Sequence, residues 1–152
     1  MKMFREAMKE DAKVFYEMYE QLRDHVEKGC DKPSLQEYTE LFSRLVEDEN
    51  YKMWKILDEN EKVVGAITAN IRENLFHCKK IVYVDEIVIS EESRGKGFGK
   101  KGLEFVADYY KKQGDVVKLE LSTDYQNTPA RGFYSHIGFD DYAALYKIKL
   151  HK

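Results

Sequence analysis

Residues 80–102 read KIVYVDEIVISEESRGKGFGKKG, and the change of character along this stretch decides the fold. Lys80 to Ser90 is strongly β-branched and predicts a central strand. A short polar connector, Glu91-Glu92-Ser93, follows. Gly95, Gly97, Gly99 and Gly102 are then interleaved with Arg94, Lys96, Lys100 and Lys101. Beyond them Leu103, Val106, Ala107 and Tyr110 recur at helical spacing up to Gly114, and Val116 to Leu121 predicts another strand. A strand, helix and strand so connected should be parallel and right-handed.

Outward from this unit the pattern is antiparallel. Residues 2 to 7 predict a short first strand. Ala12, Phe15, Tyr16, Tyr19, Leu22 and Val26 mark a helix closed by Gly29 and Pro33. Ser34 with Glu37 has the form of a capping box ahead of the stripe Leu35, Tyr38, Leu41, Phe42 and Leu45. Lys52 to Leu57 and Lys62 to Ile71 predict a hairpin. Ala130, Phe133, Tyr134 and Ile137 mark a short helix ended by Gly138, and Tyr142 to Leu150 predicts a last strand. The class is α+β: a mixed, mostly antiparallel sheet with a central parallel strand-helix-strand unit, flanked by helices, in a single domain over 1–152.

Composition excludes several functions. The chain has 152 residues, a formal net charge of -3, and 13% aromatic residues. That balance opposes general nucleic-acid binding and disorder. No uncharged run approaches a membrane span. The four histidines lack metal-ligand spacing, so no metal is expected. Cys30 and Cys78 fit no disulfide framework and read as reduced thiols. The first residues are charged from Lys2, unlike a secretory leader, and a cytoplasmic location is expected.

Glycines opening a helix leave several backbone N–H groups unpaired at the positive end of the helix dipole, which suits a phosphate or pyrophosphate. Three patterns compete for that anion. A P-loop fails, since only three residues separate Gly95 from Gly99 and Lys101 stands where a hydroxyl residue belongs. Gly97, Gly99 and Gly102 satisfy G-x-G-x-x-G, with Asp124 downstream. However, Ser90 to Arg94 intervene after the strand, and the remaining chain is too short for a second mononucleotide half. The third pattern, R-x-x-G-x-G over Arg94 to Gly99, resembles the acetyl-coenzyme A signature of the GNAT superfamily of N-acetyltransferases. Asn127-Thr128-Pro129-Ala130-Arg131-Gly132-Phe133-Tyr134, followed by Ile137-Gly138-Phe139, is similar to a second motif of that family.

The resemblance implies an enzyme that moves the acetyl group of acetyl-CoA to a primary amine, with no metal. Its cofactor contacts would come from the strand at Ile87, Val88 and Ile89. The loop and helix start would add Arg94, Gly95, Lys96, Gly97, Phe98, Gly99 and Lys100, and the second motif Asn127, Arg131 and Tyr134. A strand amide would also polarise the thioester carbonyl. Tyr134 would protonate the departing thiolate. Asp85 and Glu86, acids on an apolar strand, are costly without a purpose, and one of them is the candidate general base. Neighbouring strand residues face opposite ways, so only one reaches a cleft unless a bulge intervenes. Asn127 suits a helix N-cap equally well. Arg131 reaches a phosphate or is solvated.

Acids near the first helices and the last strand (Glu37, Glu40, Glu47, Asp48, Glu49, Asp140 and Asp141) would draw a cationic acceptor such as a polyamine, an aminoglycoside or a lysine side chain. Family members are often dimers, so a homodimer is expected among the partners. The competing readings are an acyl-CoA-binding sensor without turnover and a nucleotide-binding oxidoreductase.

Overall fold

The computed structural model describes residues 2–26 and 32–151. Cys30 and the helix stop at Gly29 lie outside them. The elements run β1 (Phe4–Glu6), α1 (Ala12–Val26), α2 (Leu35–Val46), β2 (Tyr51–Leu57), β3 (Val63–Asn74), β4 (Lys79–Ile89), α3 (Phe98–Gln113), β5 (Val116–Glu120) and α4 (Thr128–His136). Single 3-10 turns at Lys9–Asp11 and Glu91–Ser93 precede α1 and α3. The sheet order is β1-β2-β3-β4-β5, antiparallel except for the parallel pair β4–β5. This is the mixed α+β architecture expected.

Each element has a local cause. At α2, Ser34 Oγ accepts from the Glu37 amide at 3.1 Å while the Glu37 carboxylate accepts from the Ser34 amide at 2.9 Å. That closed box satisfies two otherwise orphaned donors. Pro129 occupies the first turn of α4, where its missing N–H costs nothing, and Asn127 caps the same helix.

Helices cover the sheet on both faces. Against one, α1 and α2 bury Phe15, Met18 and Phe42 over Met53, Ala66 and Val88. Against the other, α3 lays Phe105, Tyr109 and Tyr110 around Trp54, with ring centroids 5.4 to 6.2 Å away. Trp54, Phe15, Ile56, Ile67, Val82 and Val106 are fully buried, so both layers are dry. α3 can lie this close because Gly102 has no side chain: a Cβ there would stand 2.8 Å from Ile67 Cδ1.

The chain divides into two compact units, Met1–Leu121 and Ser122–Lys152. In the second unit α4 matches its expected helix, but the expected last strand is absent. Residues 140–149 belong to no helix or strand, and Tyr142, Leu145, Tyr146, Ile148 and Leu150 are exposed. Alternation marks a strand only where a ladder partner takes up its backbone, and no described strand pairs with this segment.

Gly65 on β3 has the tightest surroundings. An added Cβ would meet the Val88 carbonyl oxygen and Ile89 Cδ1, both at 2.8 Å. Gly65→Ala should therefore destabilise the protein by about 1–3 kcal/mol. Urea denaturation should show a lower midpoint for it than for Gly102→Ala, where only side-chain atoms must yield.

Candidate active site

β5 pairs with β4 only from Lys80 to Tyr83, while β4 continues to Ile89. From Val84 onward no described strand pairs with that edge. The Ser90 amide donates to the Val64 carbonyl at 2.8 Å, so Ser90, and by alternation Val88 and Glu86, turn their backbone groups toward β3. Ile87 and Ile89 therefore turn theirs toward the unpaired edge. Such an edge is a ready template for an extended ligand that can hydrogen-bond like a strand.

Val88 must be corrected. Its side chain lies in the α1–α2 core and its backbone faces β3, which leaves nothing for a ligand. Ile89 is restricted too, because its carbonyl accepts from Arg94 Nε at 3.1 Å. Arg94 also reaches Gln21 at 3.5 Å, so its guanidinium ties the strand end to α1.

The edge leads into the glycine turn. Gly95 and Gly97 have φ of +77° and +85°, in the left-handed region that L side chains rarely adopt. A Cβ at either would meet nothing within 4 Å, so the space before them is clear. Lys101 makes the first bond of α3, to the Gly97 carbonyl at 3.1 Å. The amides of Phe98, Gly99 and Lys100 thus lie at the helix mouth without intrahelical partners. Lys96 is exposed beside them, and Lys100 lies 3.9 Å from Glu104. A compact anion fits this cradle.

The two acids stand at the other end of the edge. Thr68 is opposite Glu86 and Ala69 opposite Val84, so Asp85 is the extra residue of a β-bulge. The bulge overturns strict alternation and turns both carboxylates to the α1–α2 face. Asp85 accepts a hydrogen bond from Tyr51, which packs against that core. Glu86 is exposed and acts on the phenols of Tyr19 and Tyr38. Burial pushes the Asp85 carboxyl above its ordinary value, and the Tyr51 hydrogen bond and the charge of Arg72 offset this only partly. Burial likewise raises Tyr19, Tyr38 and Tyr51, which stay neutral donors at ordinary pH.

Tyr19 donates to the buried Thr68 hydroxyl at 2.8 Å, and its ring lies 6.1 Å from that of Tyr38. Their spacing alone marked these tyrosines only as members of helical stripes. The signal available was Thr68, a hydroxyl inside the apolar run of β3 and opposite the acids. Of the seven acids expected to draw a cation, four near the first helices are otherwise engaged. Glu37 is in the capping box, Glu40 accepts from Gln36, Glu47 pairs with Lys9, and Asp48 accepts from the Asn50 amide.

In the second unit, Asn127 Oδ1 accepts from the Ala130 amide at 3.2 Å, so that oxygen is spent on capping. Arg131 keeps a solvent-exposed side chain while engaging its own neighbours. It pairs with Asp141 at 3.0 Å and covers the Tyr125 ring at 5.5 Å. Tyr134 is half-buried between Phe133 and Phe139, with ring centroids 5.4 and 5.8 Å away.

A strand edge that outruns its partner, a left-handed glycine turn at a helix mouth and acids on a bulge together suit an acyl-CoA thioester meeting an amine. The sequence profile of the acetyltransferase (GNAT) family matches residues 12–139. The chain belongs to that family. The D-amino-acid N-acetyltransferase of Saccharomyces cerevisiae is 29% identical over 112 residues, covering 72% of this chain and 68% of the yeast protein. Among solved structures, an aminoglycoside acetyltransferase from an uncultured soil metagenomic sample, in complex with sisomicin, superposes with a TM-score of 0.79 at 18% identity. It covers 97% of this chain and 95% of its own. The glucosamine-6-phosphate N-acetyltransferase of Arabidopsis thaliana gives 0.76 at 22% identity, covering 97% of both chains. Both share the fold. Family membership sets aside the oxidoreductase reading, and the sheet with its single parallel pair offers no second nucleotide-binding half. Among the described residues no His, Cys, Asp and Glu cluster could hold a metal.

Asp85→Asn should raise the melting temperature at neutral pH. A carboxyl whose folded pKa is raised binds its proton more readily in the folded protein, so it costs stability while ionised. That cost fades as pH falls from the raised value to the ordinary one of about 4. Melting curves of the two proteins should converge over that range.

Proposed function

We propose that the chain transfers the acetyl group of acetyl-CoA directly to a primary amine. One observation carries the reading: the unpaired β4 edge joins the glycine cradle at one end to the Asp85–Glu86 bulge at the other. A thioester carrier with its diphosphate at the α3 mouth would run along Ile87 and Ile89 and bring its acyl group to the acids. The comparisons support an amine acceptor and leave its identity open, since the relatives' acceptors share little beyond an amine.

The chemistry is balanced without an enzyme nucleophile. A protonated amine, with a pKa near ~10, must first lose a proton. Asp85 is the better placed base, because its raised carboxyl retains more affinity for a proton than an ordinary one. The amine nitrogen then bonds the carbonyl carbon and gives up its second proton to solvent. The C–S bond breaks, and the thiolate takes a proton from an acid that solvent re-protonates, leaving one amide, one thiol and one released proton. Tyr134 is assigned that last step through its place in the second motif.

Thiol release from acetyl-CoA over a panel of amines tests this directly. Gly97→Leu should weaken coenzyme A binding about tenfold or more, read by calorimetry, while costing the fold only about 1–3 kcal/mol. Unchanged affinity would remove the cradle from the account. Tyr134→Phe should lower kcat about 10²-fold; turnover without any loss would remove its acid role. In the wild type, kcat/KM should fall as pH drops through the raised Asp85 value. Binding of coenzyme A with no thiol release from any amine would instead favour the sensor.

A further inference from the structure

The wall that faces the two acids also holds a cation. Tyr16, Tyr19 and Arg23 lie at i, i+3 and i+7 on α1 and share one stripe of the helix. The Arg23 guanidinium carbon stands 5.9 Å from the Tyr16 ring centre, and the Tyr16 ring meets Tyr38 edge-on at 5.2 Å. Tyr38 in turn touches Tyr19, whose hydroxyl reaches Thr68 opposite Glu86. The contacts therefore run from a guanidinium on α1, across three phenols, to Thr68, the residue opposite Glu86 of the bulge.

Arg23 is held differently from Arg5, Arg94 and Arg131. Arg5 and Arg131 have carboxylate partners, and Arg94 has the Ile89 carbonyl. Arg23 Nη1 is buried without any hydrogen-bond partner. An unsatisfied guanidinium N–H is expensive, and a planar anion is what its fork matches. Lys32, which also lies against the Tyr16 ring, is already paired with Glu20. A guanidinium donor without a partner suits a carboxylate.

We propose that the acceptor is an amino acid whose carboxylate is received by Arg23 while its amine is presented to Asp85 and Glu86. This deepens the acetyl-transfer reading and rests on it. The phenols of Tyr16, Tyr19 and Tyr38 line the span between the two poles. Tyr38 registers both, for after burial the charge of Arg23 pulls its phenol down and that of Glu86 pushes it up. A polyamine or an aminoglycoside, cationic throughout, would bring positive charge against Arg23 and leave its Nη1 orphaned.

The test compares matched acceptors on the native enzyme with acetyl-CoA: an amino acid, its amide, its decarboxylated amine and spermidine. The amino acid should lead in kcat/KM by about tenfold or more, as loss of a charge-assisted pair implies. Arg23→Gln should raise KM for the amino acid by a similar factor with kcat nearly kept. It should leave the decarboxylated amine unchanged, and Arg23→Lys should restore part of the preference. Equal rates for the amino acid and its amide on the native enzyme would overturn the proposal, as would a preference that survives Arg23→Gln. If no amine releases thiol, the acetyl-transfer reading fails on its own. Calorimetric binding of the amino acid against its amide, with coenzyme A present, then decides the Arg23 assignment separately.

Discussion

One extra residue in a strand organises this molecule. Asp85 has no counterpart on β3, and the ladder between β4 and β5 ends two residues before it, at Tyr83. Bulges bend and twist the strand that carries them. Here the bulge lies where β5 stops following β4, so the backbone beyond is left to pair with something other than sheet. The same extra residue places two neighbouring carboxylates on one face, which regular pleating forbids. Unpaired edge and acid pair thus meet at a single local irregularity.

The rest of the fold holds that irregularity in place at some cost. An acid and three phenols stand where burial disfavours their ionised forms, and the guanidinium of Arg23 lies above them with an orphaned donor. Proteins retain such features where function needs them, and the dry layers on both faces of the sheet supply the stability to do so. Gly102 contributes indirectly. By letting α3 settle onto Ile67 it fixes the helix start, and with it the amides beside Gly97.

Most of the architecture was legible in the sequence, because each element carries its own punctuation: the Ser34–Glu37 box, the β-branched run of β4, and Gly97 ahead of α3. The glycine turn was legible for the same reason, since its backbone demand is local. What escaped was non-local. That a bulge falls at Asp85 depends on how β3 pairs with β4, which the strand's own residues do not encode. The tyrosines of α1 and α2 read only as helical stripe positions until Thr68 and the acids are seen opposite them. Arg131 looked available because Asp141 lies ten residues away. The alternation after Tyr142 promised a strand, but a strand needs a partner, and none of the described strands provides one.

The unpaired run of β4 has a second consequence. Backbone amides that welcome a slender ligand welcome any extended polypeptide equally well, and sheet proteins normally blunt such rims to stay dispersed. Arg94 is a partial guard, because its side chain occupies the Ile89 carbonyl and interrupts the repeat a docking chain would need. Occupancy by the proposed carrier would complete that guard. Colloidal stability and cofactor supply would thereby be linked through one row of hydrogen-bonding groups.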